Sequence, residues 1–338
     1  MKKLTVLLFL LSGMILCAGE TYNFFMLSDT HFGAADSFAD KVAKSTRLRA
    51  DKAMPVYKAM FADMAKKADS GTRFLVHAGD IIEGNAKNAE LQTKEFEKAV
   101  TLLKNYFKFP IYYARGNHET SGGSAAYLQF MLPEIARNAG KTLKVANYSF
   151  RNGSDLFIFA DSSHKSWLNF ITQTLKNNKS SIRYLFVVLH IDYIVPFRDK
   201  PTKELCKLLS QYNTLVLHGH SHQTVTITQN IDGKPITSFS IGSYLTASPK
   251  AFAATPSTDP AREIARIRRQ GRLDAPPARK EFFDKISLPF ITKYQRFSIP
   301  GSQGYARIMV SDSGVIAMVQ SANLKYPPIK IQLLPAAK

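Results

Sequence analysis

The chain has 338 residues, 45% of them hydrophobic, and 45 Lys and Arg against 26 Asp and Glu give a formal charge of +19. That length and apolar content can bury a substantial core, read here as one main domain. The basic charge attracts anions in general, but no long basic run or aromatic RNA-binding signature accompanies it, so a dedicated nucleic-acid module is excluded.

In chain order, Lys2 and Lys3 precede an apolar run over residues 4–16, and small Ala18 and Gly19 precede Glu20. This is the order of a signal peptide over 1–19, cleaved after Gly19, and it predicts export to the periplasm or the extracellular space. Left uncleaved, the same run is a membrane anchor. Lipidation of Cys17 fits poorly because bulky Leu16 precedes it. Cys17 and Cys206 are the only cysteines, so a chain starting at Glu20 keeps one thiol and forms no internal disulfide. Cys206, beside Leu205, Leu208 and Leu209, reads as a small buried hydrophobe.

Short apolar runs follow at 23–27, 73–78, 111–114, 156–160, 184–190 and 214–218, each with the length and side chains of a buried strand. Helix-like segments at 55–68, 89–106 and 125–138 separate the earlier ones. Such alternation predicts an α/β layered fold. Beyond His222 the pattern becomes strands without long helices, at 224–230 and 235–242, and then a hairpin over 305–320 turning at Asp312, Ser313 and Gly314. The division expected is a core over 20–247, a basic Pro/Arg-rich insertion or lid over 248–301, and a C-terminal hairpin with a tail over 302–338. Within the insertion Asp259 caps a helix that begins at Pro260 and ends at Gly271. Its arginines, Arg262, Arg266, Arg268, Arg269 and Arg272, form a solvated face or a lid that draws in anionic substrates.

The polar residues fall where strands end. Asp29 and His31 follow the first run, Gly79-Asp80 the second with Glu83 three residues on, and Gly116-Asn117-His118-Glu119 the third. His190 closes the fifth, and the sixth runs into Gly219-His220-Ser221-His222. In α/β sheets ligands bind beyond the carboxyl ends of strands, so five such loops can meet at one crevice. Singly, each of these reads equally well as a turn, a cap or a core histidine.

Their ordered combination resembles the calcineurin-like metallophosphoesterase family, whose blocks run Asp-x-His, Gly-Asp, Gly-Asn-His-Glu or Asp, His, and Gly-His-x-His. All five occur here in order from Asp29 to His222. The resemblance implies a four-layer α-β-β-α sandwich, two mixed β-sheets flanked by helices. It implies two divalent ions, manganese, iron or zinc. Asp29, His31, Asp80 and His222 would hold one, and Asn117, His190, His220 and again Asp80 the other. Mixed carboxylate and imidazole ligands suit those metals, whereas calcium and magnesium prefer all-oxygen sets. Two cations about 3.5–4 Å apart can share a hydroxide that attacks phosphorus. His118 would protonate the leaving alkoxide, with Glu83 orienting its imidazole.

The resemblance also narrows the subfamily. Purple acid phosphatases carry tyrosine where Glu83 stands, and protein Ser/Thr phosphatases follow the second block with Asp-Arg-Gly, where this chain has Glu83-Gly84-Asn85. After His190 an apolar loop runs to Pro196-Phe197-Arg198, and it is read either as packed on its own core or as a pocket wall. As a wall, Tyr193 or Phe197 would contact the leaving group, and Arg198, with Asn117, the phosphate. His218 is assigned to support the site from behind, His77 to do the same or to pack in the core, and His164 to cap a helix near Trp167.

The activity expected is an exported phosphoesterase acting on anionic phosphomonoesters or phosphodiesters, cyclic nucleotides among them. The alternatives are a phosphodiesterase for lipid headgroups or nucleic acid, associated peripherally with a membrane surface, and a non-catalytic binding protein of the same fold.

Overall fold

A computed structural model describes residues 20–33, 44–121, 123–178, 180–195, 199–243, 290–297 and 304–337. The leader over 1–19, the helix placed over 259–271 and Arg198 lie outside them.

The first sheet forms around β1 (Tyr22–Leu27), whose six residues are all buried. Parallel to it run β2 (Thr72–His77) and then β3 (Ile111–Tyr113). On its other side the C-terminal strands β11 (Gly304–Ser311), β12 (Gly314–Ser321) and β13 (Ile329–Leu334) add antiparallel, giving the order β13-β12-β11-β1-β2-β3. The second sheet contains β4 (Tyr148–Asn152), β5 (Asp155–Phe159), β6 (Leu185–Val188), β7 (Thr214–His218), β8 (Thr224–Ile231), β9 (Lys234–Ser240) and β10 (Ile291–Phe297). Its order is β10-β8-β9-β7-β6-β5-β4, with β5, β6, β7 and β9 parallel. Three strands across the two sheets lie outside the runs expected from sequence: β4, which is half-buried, β10, inside the Pro/Arg-rich segment, and β13 of the first sheet, in the expected tail.

The helices are α1 (Lys44–Lys67), α2 (Ala89–Tyr106), α3 (Leu132–Ala139), α4 (Trp167–Asn177) and α5 (Lys200–Leu209). The first begins before the expected Pro55, which it takes into its interior. The missing N–H breaks one backbone bond there, and burial of Tyr57, Met60, Phe61 and Met64 anchors the turns that follow. The third is preceded by a π-turn, Tyr127–Met131, next to Pro133, which has no N–H to give the turn before it. Among the described residues no helix is long and apolar enough to cross a membrane.

Alternation along the strands of the second sheet sorts its side chains between two cores. Phe157, Phe159, Phe186, Val188, Leu215 and Leu217 join β1 and its neighbours in the cluster between the sheets. Leu156, Ile158, Leu185, Val187 and Val216 face outward to Trp167, Ile171, Leu175, Leu205 and Leu209 on α4 and α5. Across the inner layer the ring of Phe24 meets Phe157 and Phe186 edge-on, at 5.6 and 5.7 Å between centroids. The result is the four-layer α-β-β-α sandwich.

At the amino-terminal ends of the parallel strands a buried ion-pair cluster joins the sheets. Asp155 accepts hydrogen bonds from the Tyr22 hydroxyl (2.8 Å) and from Nε and Nη2 of Arg183 (2.9 and 2.7 Å). Arg183 reaches on to Asp312 in the β11–β12 turn at 2.7 Å. Breaking a buried pair leaves its partner charge uncompensated, so Asp155→Ala should lower stability by about 3 kcal/mol. Urea unfolding measures the loss, and turnover per folded molecule should hold because the cluster lies at the far end from the loops described next.

Candidate metal centre

The loops that leave β1, β2, β3, β6 and β7 at their carboxyl ends converge. Pairing continues past β1 and β2, with the amides of Asp29, His31 and Phe32 donating to the carbonyls of Gly79, Asp80 and Ile81 at 2.9, 3.1 and 2.8 Å. This carries the two acidic loops side by side. Asp29, His31, Asp80, His220 and His222 all have left-handed backbones, with φ of 55°, 47°, 54°, 64° and 52°. Each such residue is held against a steric preference of about 1–2 kcal/mol, and such outliers gather where the surroundings over-determine them.

Two carboxylates do the holding. Asp29, fully buried, accepts from Ser28 Oγ at 2.6 Å and from the His220 amide at 2.9 Å, tying the first sheet to the β7 loop of the second. Glu119, 1% exposed, accepts from the amides of Asp80 (3.0 Å), Ile81 (2.6 Å) and Gly116 (2.5 Å), locking the β2 and β3 loops together. Burial, and then the neighbouring Asp80 carboxylate, push the Glu119 carboxyl up to about 7. In the sequence, the one signal of this role is that Glu119 directly follows His118 in the third motif.

The ligands assemble as two groups sharing one residue. Ligand-capable atoms of Asp29, His31, Asp80 and His222 lie within 4.8 Å of one another, and so do those of Asp80, His190 and His220. Within the first, Nε2 of His31 stands 3.3 Å from Nε2 of His222 and 3.8 Å from Asp80 Oδ2, and Nε2 of His222 is 3.4 Å from Asp29 Oδ1. In the second, Nε2 of His190 lies 3.0 Å from Asp80 Oδ2 and 3.2 Å from Asn117 Oδ1, which brings Asn117 in.

Donor chemistry fits a cation at each group. Nδ1 of His190 donates to the Ala78 carbonyl at 2.8 Å, which leaves Nε2 as the ring nitrogen facing two oxygens. Asp80 Oδ2 is buried and makes no hydrogen bond among the described residues. Burial alone would lower the basicity of His190, yet the carboxylates of Asp80, Asp29 and Glu119 push it up to about 9. Burial would likewise raise Asp80, but the imidazoles of His190, His31 and His118 hold it well below the usual carboxylate range. The pocket is built to receive positive charge.

His118 is half-buried beside the first group, its ring edge-on to His31 at 4.5 Å between centroids. Its Nδ1 is 2.5 Å from the main-chain oxygen of Glu83. This corrects the expectation for Glu83: the carbonyl, not the carboxylate, orients His118, and the longer side chain places Oε2 3.3 Å from Nδ1 of His31. The loop after His190 is built inward. Asp192 Oδ1 accepts from the Ile194 and Val195 amides at 2.7 and 2.9 Å, both apolar side chains are buried, and Tyr193 packs beside Trp167 at 6.3 Å. Of the two readings of this loop, the packing of Tyr193 beside Trp167 fits the one in which it rests on its own core. His218 points at the buried Asp192, Nε2 to Oδ2 3.9 Å, and His77 meets Thr30 Oγ1 at 3.0 Å. Both stand behind the ligands. Burial, against the pull of Asp29, takes His77 down to about 3, so it stays neutral. His164 meets Ser166 Oγ at 2.7 Å, just before α4.

A family model described as calcineurin-like phosphoesterase matches residues 22–224. No curated protein matches significantly by sequence. Among solved structures, GAP50, the anchor in the inner membrane complex of Plasmodium, is 13% identical, with a TM-score of 0.52 over 94% of this chain and 90% of its own. A dimetal phosphatase from Danio rerio is 9% identical, with a TM-score of 0.50 over 92% and 99%. At such identities the likeness speaks for the fold alone.

Close approach of the loops sets a sharp test. A Cβ on Gly219 would clash with Ser28 Oγ and lie 2.6 Å from Asp29 Oδ2. Gly219→Ala should displace Asp29 and reduce bound metal from two equivalents toward one, read by elemental analysis of the purified protein, with circular dichroism near wild type.

Proposed function

Because the chain belongs to the calcineurin-like phosphoesterase family, we propose that it is an exported, two-metal hydrolase of phosphomonoesters or phosphodiesters, cyclic nucleotides included. The observation that carries this is the pair of ligand groups joined through Asp80, with a histidine outside both of them at their edge. Divalent ions bound there, manganese, iron or zinc, would supply Lewis acidity toward phosphoryl oxygens and make water acidic enough to attack.

The chain's own residues do the rest. Asp80 places one oxygen between the two groups while its other oxygen accepts from the His118 amide at 2.8 Å, so the shared carboxylate and the acid are positioned together. With Nδ1 of His118 committed to the Glu83 carbonyl, Nε2 is the nitrogen that delivers a proton to the departing alkoxide. Partial exposure of His118 and exposure of His220 leave that side of the site open to a substrate. Asn117 turns its carbonyl oxygen toward His190, where it would help hold the second cation, and its amide NH2 would then be left for a phosphoryl oxygen.

The charge of +19 supports a second reading of the same site, a phosphodiesterase working on an anionic membrane surface. A non-catalytic role has a precedent of fold in the GAP50 anchor. Retention of all seven ligands and of His118 speaks against it here.

The test is turnover of p-nitrophenyl phosphate and its bis ester by manganese-loaded protein. Asp80→Asn should abolish turnover and strip metal, whereas His118→Ala should lose about 10²–10⁴-fold in kcat while keeping both metals. Full metal occupancy with no hydrolysis of any phosphoester would favour the binding protein.

A further inference from the structure

One residue at the edge of the site presents both its backbone and its side chain to histidines. Glu83 is 6% exposed, and its main-chain oxygen already orients His118. Its carboxylate lies 3.3 Å from Nδ1 of His31, on the side of that ring away from His222 and Asp80, which Nε2 faces. Atoms of His31, Glu83 and His118 come within 4.8 Å of one another, so the carboxylate sits where either ring could claim it. The carbonyl at 2.5 Å has taken Nδ1 of His118, which leaves His31, with Nδ1 3.3 Å from Oε2, as the ring beside the carboxylate.

A carboxylate behind a metal-binding imidazole fixes the proton on the far nitrogen and raises the basicity of the near one. His190, the counterpart in the other group, has the neutral Ala78 carbonyl behind it. We infer that Glu83 is a positioning residue for His31, and that its carboxylate strengthens one of the two cation sites and leaves the other unaffected. Glutamate rather than aspartate matters for this. The extra methylene carries the carboxylate past the catalytic ring while the backbone of the same residue holds that ring, so one position serves two histidines.

The inference rests on the two-metal reading above. Its test uses the full chain, stripped with chelator and titrated with Mn²⁺, free ion being read by electron paramagnetic resonance. Glu83→Gln, which keeps volume, and Glu83→Ala, which keeps the main-chain oxygen on His118, should weaken one Mn²⁺ site by about 10–100-fold and leave the other at its wild-type constant. Hydrolysis of p-nitrophenyl phosphate should fall at limiting Mn²⁺ and be recovered by excess ion. In His118→Ala, excess ion should recover nothing. Unchanged Mn²⁺ constants in the folded Gln variant, or a kcat deficit that excess Mn²⁺ does not lift, would overturn the inference and return the carboxylate to His118. A wild-type chain that binds no Mn²⁺ would instead remove the two-metal reading itself.

Discussion

The buried carboxylate of Glu119 is the interaction on which the centre depends. Three amides from two loops converge on it, and no other described group competes for those donors. Removing it would leave three buried N–H groups unsatisfied, each a penalty of about 1–3 kcal/mol. One of the three belongs to Asp80, whose left-handed backbone aims its side chain into the crevice. An anion below the loop thus fixes the anion inside it. The close approach needs Gly116 as well, since a Cβ there would meet Asp80 Oδ1.

The same logic joins the sheets. Asp29, His31, Asp80 and Asn117 come from loops of the first sheet, and His190, His220 and His222 from loops of the second. Each ligand group therefore straddles the sandwich. At one end the sheets are joined by the contacts of Tyr22 with Asp155 and of Arg183 with Asp312, and at the other any cation held by the ligand groups would join them. Cation binding that occurs only in the folded chain adds to its stability in proportion to the logarithm of free metal. Ions held by these groups would therefore also tie the two sheets together.

Much of this was legible in the sequence, because the ligands are placed by strand ends and strand ends are marked by apolar runs. The six runs before His222 match β1, β2, β3, β5, β6 and β7 to within two residues, and all seven expected ligands lie in the loops just past them. What stayed hidden depends on direction and partner. The order of residues around Glu83 gives no hint that backbone and side chain serve different rings, since that depends on the reach of one methylene. Glu119 looked like a motif ending because three backbone donors leave no trace in side-chain identity. The strand Ile291–Phe297 hides at the end of a Pro/Arg-rich segment, and what makes it a strand is backbone pairing with β8, which side-chain identity does not record.

The left-handed loops have a further consequence for which sequences can occupy them. Asp, Asn and His are the side-chain-bearing residues most at ease with positive φ, and they are also the ones that bind such metals. At Asp29, His31, Asp80, His220 and His222, backbone sterics and coordination chemistry therefore choose from the same short alphabet. A substitution such as Asp to Glu keeps a ligand atom yet fails the backbone filter, and β-branched residues fail both. Drift at these positions is confined twice over, so a descendant that lost catalysis would still tend to spell its loops in aspartate, asparagine and histidine.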